Sequence, residues 1–98
     1  MTIRVVIAED EAIIRLDLRE TLEEEGYEVV GETGRGDHAV DLVRELKPDL
    51  AILDIKMPHM DGLEAAKLIS AERICGVVML TAFSQRELVE DARDAGAL

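Results

Sequence analysis

Four short, unbroken apolar runs recur along this chain, one starting roughly every twenty to thirty residues, with stretches of helical periodicity between them. The runs are Arg4-Val5-Val6-Ile7-Ala8, Val29-Val30, Leu50 to Leu53, and Val77 to Thr81. A run without polar alternation fits a strand buried on both faces, which is the situation of a parallel sheet. Parallel neighbours need a long crossover, and a helix is the usual one. The pattern therefore predicts consecutive βαβ units: an α/β fold, with a doubly wound parallel sheet and helices on both faces.

The intervening stretches carry helix signals. Ile14, Leu18 and Leu22 stand at i, i+4 and i+8, and Gly26 supplies a left-handed stop. Gly34-Arg35-Gly36-Asp37 reads as a turn, followed by a helix bearing Ala39, Leu42, Val43 and Leu46 and ended by Pro48. A third helix is predicted from about Gly62 to Arg73, with Leu63, Ala66 and Ile69 on one face. Ser84-Gln85-Arg86-Glu87 has the form of a capping box opening a fourth helix with Leu88 and Ala92, closed by Gly96. Ala97-Leu98 reads as the first step of a fifth strand, where the sequence ends.

Ninety-eight residues with 48% hydrophobic content make one domain, 1–98, long enough to bury a single core. Twenty-two acidic against 11 basic residues leave a net charge of −11, which argues against direct binding of nucleic acid or an anionic membrane by this segment. No apolar run approaches a membrane span, and Met1-Thr2-Ile3-Arg4 leads straight into a strand pattern without a signal peptide. Cys75 has no cysteine to pair with and sits between apolar neighbours, so it reads as a small buried hydrophobe in a protein of the reducing cytoplasm.

The chemistry gathers where strands end. Glu9 and Asp10 follow the first strand, Asp54 the third, and Thr81 closes the fourth. In a sheet of order 2-1-3-4, strands one, three and four are neighbours, and ligands bind in the crevice beyond their C-terminal ends. Three carboxylates in one crevice repel each other unless a cation joins them, and Mg²⁺ suits a site of few carboxylates and several waters. Asp10 and Asp54 are the expected ligands, with a main-chain carbonyl just after Asp54, that of Lys56. The bland alternative for Glu9-Asp10-Glu11 is helix capping, and it fits Glu11 best. His38 and His59 read as surface residues; Met57, Met60 and Met79 read as packing.

Together, Ala8-Glu9-Asp10-Glu11, Leu53-Asp54-Ile55-Lys56-Met57-Pro58, Met60-Asp61-Gly62 and Leu80-Thr81-Ala82 resemble the receiver domain of two-component response regulators over the whole chain. Glu9-Asp10-Glu11-Ala12-Ile13-Ile14-Arg15 and Thr81-Ala82-Phe83-Ser84-Gln85 are similar, more narrowly, to the receivers of actinobacterial ANTAR-type regulators, which pair a receiver with an RNA-binding antitermination domain. The resemblance implies a flavodoxin-like sheet of order 2-1-3-4(-5), with the fifth strand and last helix missing from this chain. It implies Asp54 as phosphoacceptor, Glu9 and Asp10 as the acidic pair for Mg²⁺, and Thr81 as the switch hydroxyl. It also implies a sensor histidine kinase as donor and an output domain in a longer parent protein. The switch aromatic and the lysine of the family's fifth strand have no counterpart in the sequence.

Two other classes compete. A phosphohydrolase with Asp54 as transient nucleophile would place a second acid two residues on, where this chain has Lys56. A flavin or nucleotide module would place glycines in the first strand-to-helix turn, which is acidic here. Four strands in this order also leave strand four as an edge through which the chain is expected to self-associate.

Overall fold

The computed structural model describes residues 2–57 and 59–80. Its elements are β1 (Arg4–Ala8), α1 (Ala12–Glu24), β2 (Glu28–Thr33), α2 (Gly36–Leu46), β3 (Leu50–Asp54), α3 (Gly62–Ala71) and β4 (Gly76–Leu80). All strand pairs are parallel and the order is β2-β1-β3-β4, the doubly wound arrangement expected from the sequence. The predicted fourth helix, the fifth-strand step and Thr81 lie outside the described residues. The expected self-association through β4 is a matter for solution measurement.

Because side chains alternate across a strand, each buried run feeds two cores. Val5, Ile7, Leu50 and Ile52 face one side with Leu18 and Leu22 of α1, Tyr27 and Val78. Val6, Ala8, Ala51 and Leu53 face the other, against Ala39, Val40 and Val43 of α2 and Ala65 and Ile69 of α3. Full burial of β1 and β3 on both faces is why their sequences show no polar alternation.

Three elements depart from expectation. β2 is longer than Val29-Val30 because its pairing with β1 continues through Gly31, Glu32 and Thr33 after a one-residue register shift. In α1, Leu18 and Leu22 are buried, but Ile14 is 41% exposed at the rim. In α3 the phase differs: Gly62, Ala65 and Ile69 face inward, whereas Leu63 is 51% exposed. Asp61 caps that helix, accepting a hydrogen bond from the Glu64 amide at 2.8 Å, and Gly62 abuts the Asp54 backbone; together these set the rotation. The helix stops at Ala71, and Arg73 takes a left-handed conformation at φ 53°.

Helix ends are finished by specific contacts. Gly26 is left-handed at φ 94°, as the sequence predicts for the stop of α1. The Arg4 guanidinium donates to the carbonyls of Leu46 and Lys47 at 3.0 and 3.2 Å, placing a cation on the negative end of α2.

The Tyr27 hydroxyl is enclosed and has no hydrogen-bond partner among the described residues. An unpaired buried polar group costs roughly 1–3 kcal/mol. Tyr27→Phe is therefore expected to hold stability level or raise it by about 1 kcal/mol in urea unfolding. A clear loss would reveal a hydroxyl partner.

Candidate functional site

The parallel register brings the ends of β1 and β3 side by side. Ala8 pairs with Leu53, so Glu9, just past β1, and Asp54, the last residue of β3, follow side by side at the C-terminal edge of the sheet. Carboxylate oxygens of Glu9, Asp10 and Asp54 all lie within 4.8 Å of one another. Glu9 is buried, Asp54 half-buried and Asp10 exposed, so the cluster opens from the sheet edge towards solvent. Asp10 also lines an open cleft of about 420 Å³ with Ile55, Lys56, Met57 and Asp61.

The backbone beneath this cluster is tightly held. The Glu9 amide donates to the Thr33 carbonyl at 3.0 Å, tying the end of β1 to that of β2. The Glu9 carboxylate accepts the Glu11 amide at 3.0 Å, satisfying the backbone donor just before the first turn of α1. Glu11 occupies the N-cap position without a side-chain cap of its own, which corrects the capping alternative. Beyond Asp54, the Gly62 amide donates to the Ile55 carbonyl at 2.8 Å, and a side chain at Gly62 would overlap the Asp54 carbonyl.

Crowding has an electrostatic signature. Burial pushes the Glu9 carboxyl up to about 7; the Glu11 amide opposes the shift, while the nearby Asp54 and Asp10 carboxylates add to it. An oxygen-rich set under mutual repulsion suits a hard divalent cation, and the residues present fit Mg²⁺ in donor type and in spread.

Glu9, Asp10 and Asp54 thus converge as the sequence suggested. Lys56 is exposed along the same cleft as Asp10. Thr81 lies outside the described residues; Leu80 before it pairs with Asp54. His38 and His59 are exposed, and Met57, Met60 and Met79 pack against the second core, as expected. Cys75 is half-buried, and burial pushes its thiol up to about 11, so it is no ready nucleophile. Two contributors were not singled out from sequence. Asp61 borders the cleft besides capping α3, and Arg15 donates to the Glu9 carbonyl at 2.6 Å. The signal for Arg15 was its place one helical turn beyond Glu11.

Strands ending in a convergent acid cluster, on a sheet of this order, define a doubly wound domain with its site at the C-terminal strand ends, and comparison with known proteins identifies the family. Residues 5–98 match the response regulator receiver domain, and the chain belongs to that family. It is 63% identical over 95 residues to the transcriptional regulatory protein PdtaR of Mycobacterium tuberculosis, covering 97% of this chain and 46% of that protein. The chain thus spans about half the length of that relative. It is 38% identical over 95 residues to the chemotaxis protein CheY of Thermotoga maritima, covering 96% of this chain and 79% of that one. The response regulator domain of Thermotoga maritima CheB superposes with a TM-score of 0.89 at 28% identity, covering all of this chain and 98% of that one. The family and the flavodoxin-like fold read from the sequence are therefore established. Among the described residues no helix is long and apolar enough to cross a membrane.

Proposed function

We propose that this receiver accepts a phosphoryl group on Asp54 from a histidine kinase in a Mg²⁺-dependent phosphorelay. The observation that carries the reading is the gathering of Glu9, Asp10 and Asp54 around one half-buried strand-end carboxylate. An Asp54 oxygen forms the new bond to phosphorus while the donor's bond to phosphorus breaks, its electron pair leaving with the donor. Asp10 and Asp54 would hold Mg²⁺ together with the Lys56 carbonyl, with the buried Glu9 beside them completing the acidic set. When bound, Mg²⁺ would supply positive charge against the negative charge spread over the phosphoryl oxygens. β3, fully buried up to Leu53, keeps Asp54 in place with little reorganisation. Thr81 is the hydroxyl that reads the phosphorylated state rather than attacking.

The reader of that state is an output domain outside this chain, RNA-binding and acting in antitermination. The sequence motif Glu9 to Arg15 and the 63% identity to a transcriptional regulatory protein support that choice.

Acetyl phosphate with Mg²⁺ tests the reaction class. A receiver takes up about one phosphoryl group per chain and stops, apart from slow self-dephosphorylation; EDTA prevents uptake. Continuous turnover of a generic phosphate ester would instead indicate the phosphohydrolase.

The metal has a separate test. At a Mg²⁺ concentration about ten times Kd, binding stabilises the folded state by about 1.4 kcal/mol, enough to raise Tm by several degrees in a domain this small. The shift is expected to shrink strongly in Asp10→Asn. Equal shifts in both proteins would remove Asp10 from the metal site.

A further inference from the structure

The geometry points to a positioning role for Arg15: its guanidinium fixes the Glu9–Asp10 peptide so that Asp10 meets the metal in a set orientation. This rests on the metal reading above and names a residue that reading leaves out.

The Glu9 peptide groups are gripped on both sides. Its N–H donates to the Thr33 carbonyl at 3.0 Å, and its C=O accepts from Arg15 Nη1 at 2.6 Å. The second bond is short and charge-assisted, the stronger kind. The Glu9 carbonyl shares one rigid plane with the Asp10 amide and Cα, so holding that oxygen fixes where the Asp10 Cα sits, the point from which its side chain sets out. Asp10 is exposed, so the placement of its backbone bears directly on where its carboxylate lies. Arg15 itself is anchored in α1, where its amide donates to the Glu11 carbonyl at 2.9 Å, and it is only partly exposed. None of the ion pairs among the described residues involves it. Its guanidinium is thus aimed at a backbone oxygen at the acid cluster.

Gly34 belongs to the same device. A Cβ at that position would stand 3.1 Å from Arg15 Nη1 and 3.4 Å from the Asp10 Cα. A methyl there would make an ordinary contact with the Asp10 Cα and press tightly on the guanidinium.

The test is Mg²⁺ affinity by calorimetry on the purified protein, comparing wild type with Arg15→Met, Arg15→Lys and Asp10→Asn. Arg15→Met keeps the apolar stem and removes the donor. Partners that orient metal ligands typically contribute 10–100-fold to affinity, so about a tenfold loss is expected in Arg15→Met. Arg15→Lys, which restores one cationic donor, should recover part of that loss. Amide NMR shifts at Asp10 in the metal-free protein should move in Arg15→Met and return towards wild type in Arg15→Lys. Wild-type affinity in folded Arg15→Met, or a loss that Lys does not reduce at all, would overturn the assignment. If Arg15→Met fails to fold, Gly34→Ala carries the test by pressing on the guanidinium: weaker Mg²⁺ binding supports the role and unchanged binding refutes it. If wild type binds no Mg²⁺, or Asp10→Asn binds equally well, the metal reading itself falls; normal loss in Asp10→Asn with no loss in Arg15→Met sinks only the role of Arg15.

Discussion

Asp54→Asn is expected to reduce phosphoryl uptake from acetyl phosphate to background while the protein stays folded. The amide is nearly isosteric but lacks the anionic oxygen that attacks phosphorus. Neither neighbouring acid can replace it. Glu9 is only 3% exposed, and its carboxylate is already bonded to the Glu11 amide. Asp10 lies outside the sheet, beyond the rigid end of β3 that presents Asp54. The substitution also removes one of three crowded carboxylates, so the metal-free fold should be no less stable than wild type. Intact-mass measurement after incubation reads the uptake, and a thermal melt reads the fold. Undiminished uptake in a folded Asp54→Asn protein would place the nucleophile elsewhere.

Gly62→Ala is expected to destabilise the fold by about 2 kcal/mol, because two opposing effects differ in size. At a helical position alanine gains up to about 1 kcal/mol over glycine in intrinsic propensity. Against that, the new methyl would overlap the carbonyl oxygen and carbon of Asp54, and overpacking against a rigid strand costs about 3 kcal/mol. The strand cannot yield, since Ile52 and Leu53 beside Asp54 are fully buried. Any adjustment must come from α3 or from the loop that carries Lys56, so Mg²⁺ affinity should fall as well. Urea unfolding measures the first effect and calorimetry the second. A variant as stable as wild type would show that this close approach is relaxed in solution.

What could be read from the sequence follows from where burial is uniform. β1 and β3 are covered on both faces, so their apolar runs were unbroken and their ends, with Glu9, Asp10 and Asp54, stood out. β2 was only partly legible, because Gly31 and Glu32 interrupt its apolar pattern although the pairing with β1 continues. α3 misled for a different reason. Its buried face is built from Gly62, Ala65 and Ile69, with small residues where the strand presses, while the larger Leu63 and Leu68 lie towards solvent. Periodicity weighs large apolar residues most, so it favoured Leu63. The rotation was decided by the Asp61 cap, which is local, together with the Gly62 contact against β3, which is tertiary. Arg15 stands in the sequence motif that begins at Glu9, one helical turn beyond Glu11, but its contact with a backbone carbonyl is visible only in the fold.

The central claim is that Asp54 is the phosphoacceptor, and the most direct measurement is chemical mapping of the acyl phosphate. The protein is treated with acetyl phosphate and Mg²⁺, reduced with borohydride, digested and sequenced by mass spectrometry. Reduction converts a phosphorylated aspartate to homoserine and leaves free carboxylates untouched. The account predicts homoserine at position 54 alone, and none when EDTA replaces Mg²⁺. Modification at position 10 or elsewhere, with Asp54 recovered unchanged, would contradict it.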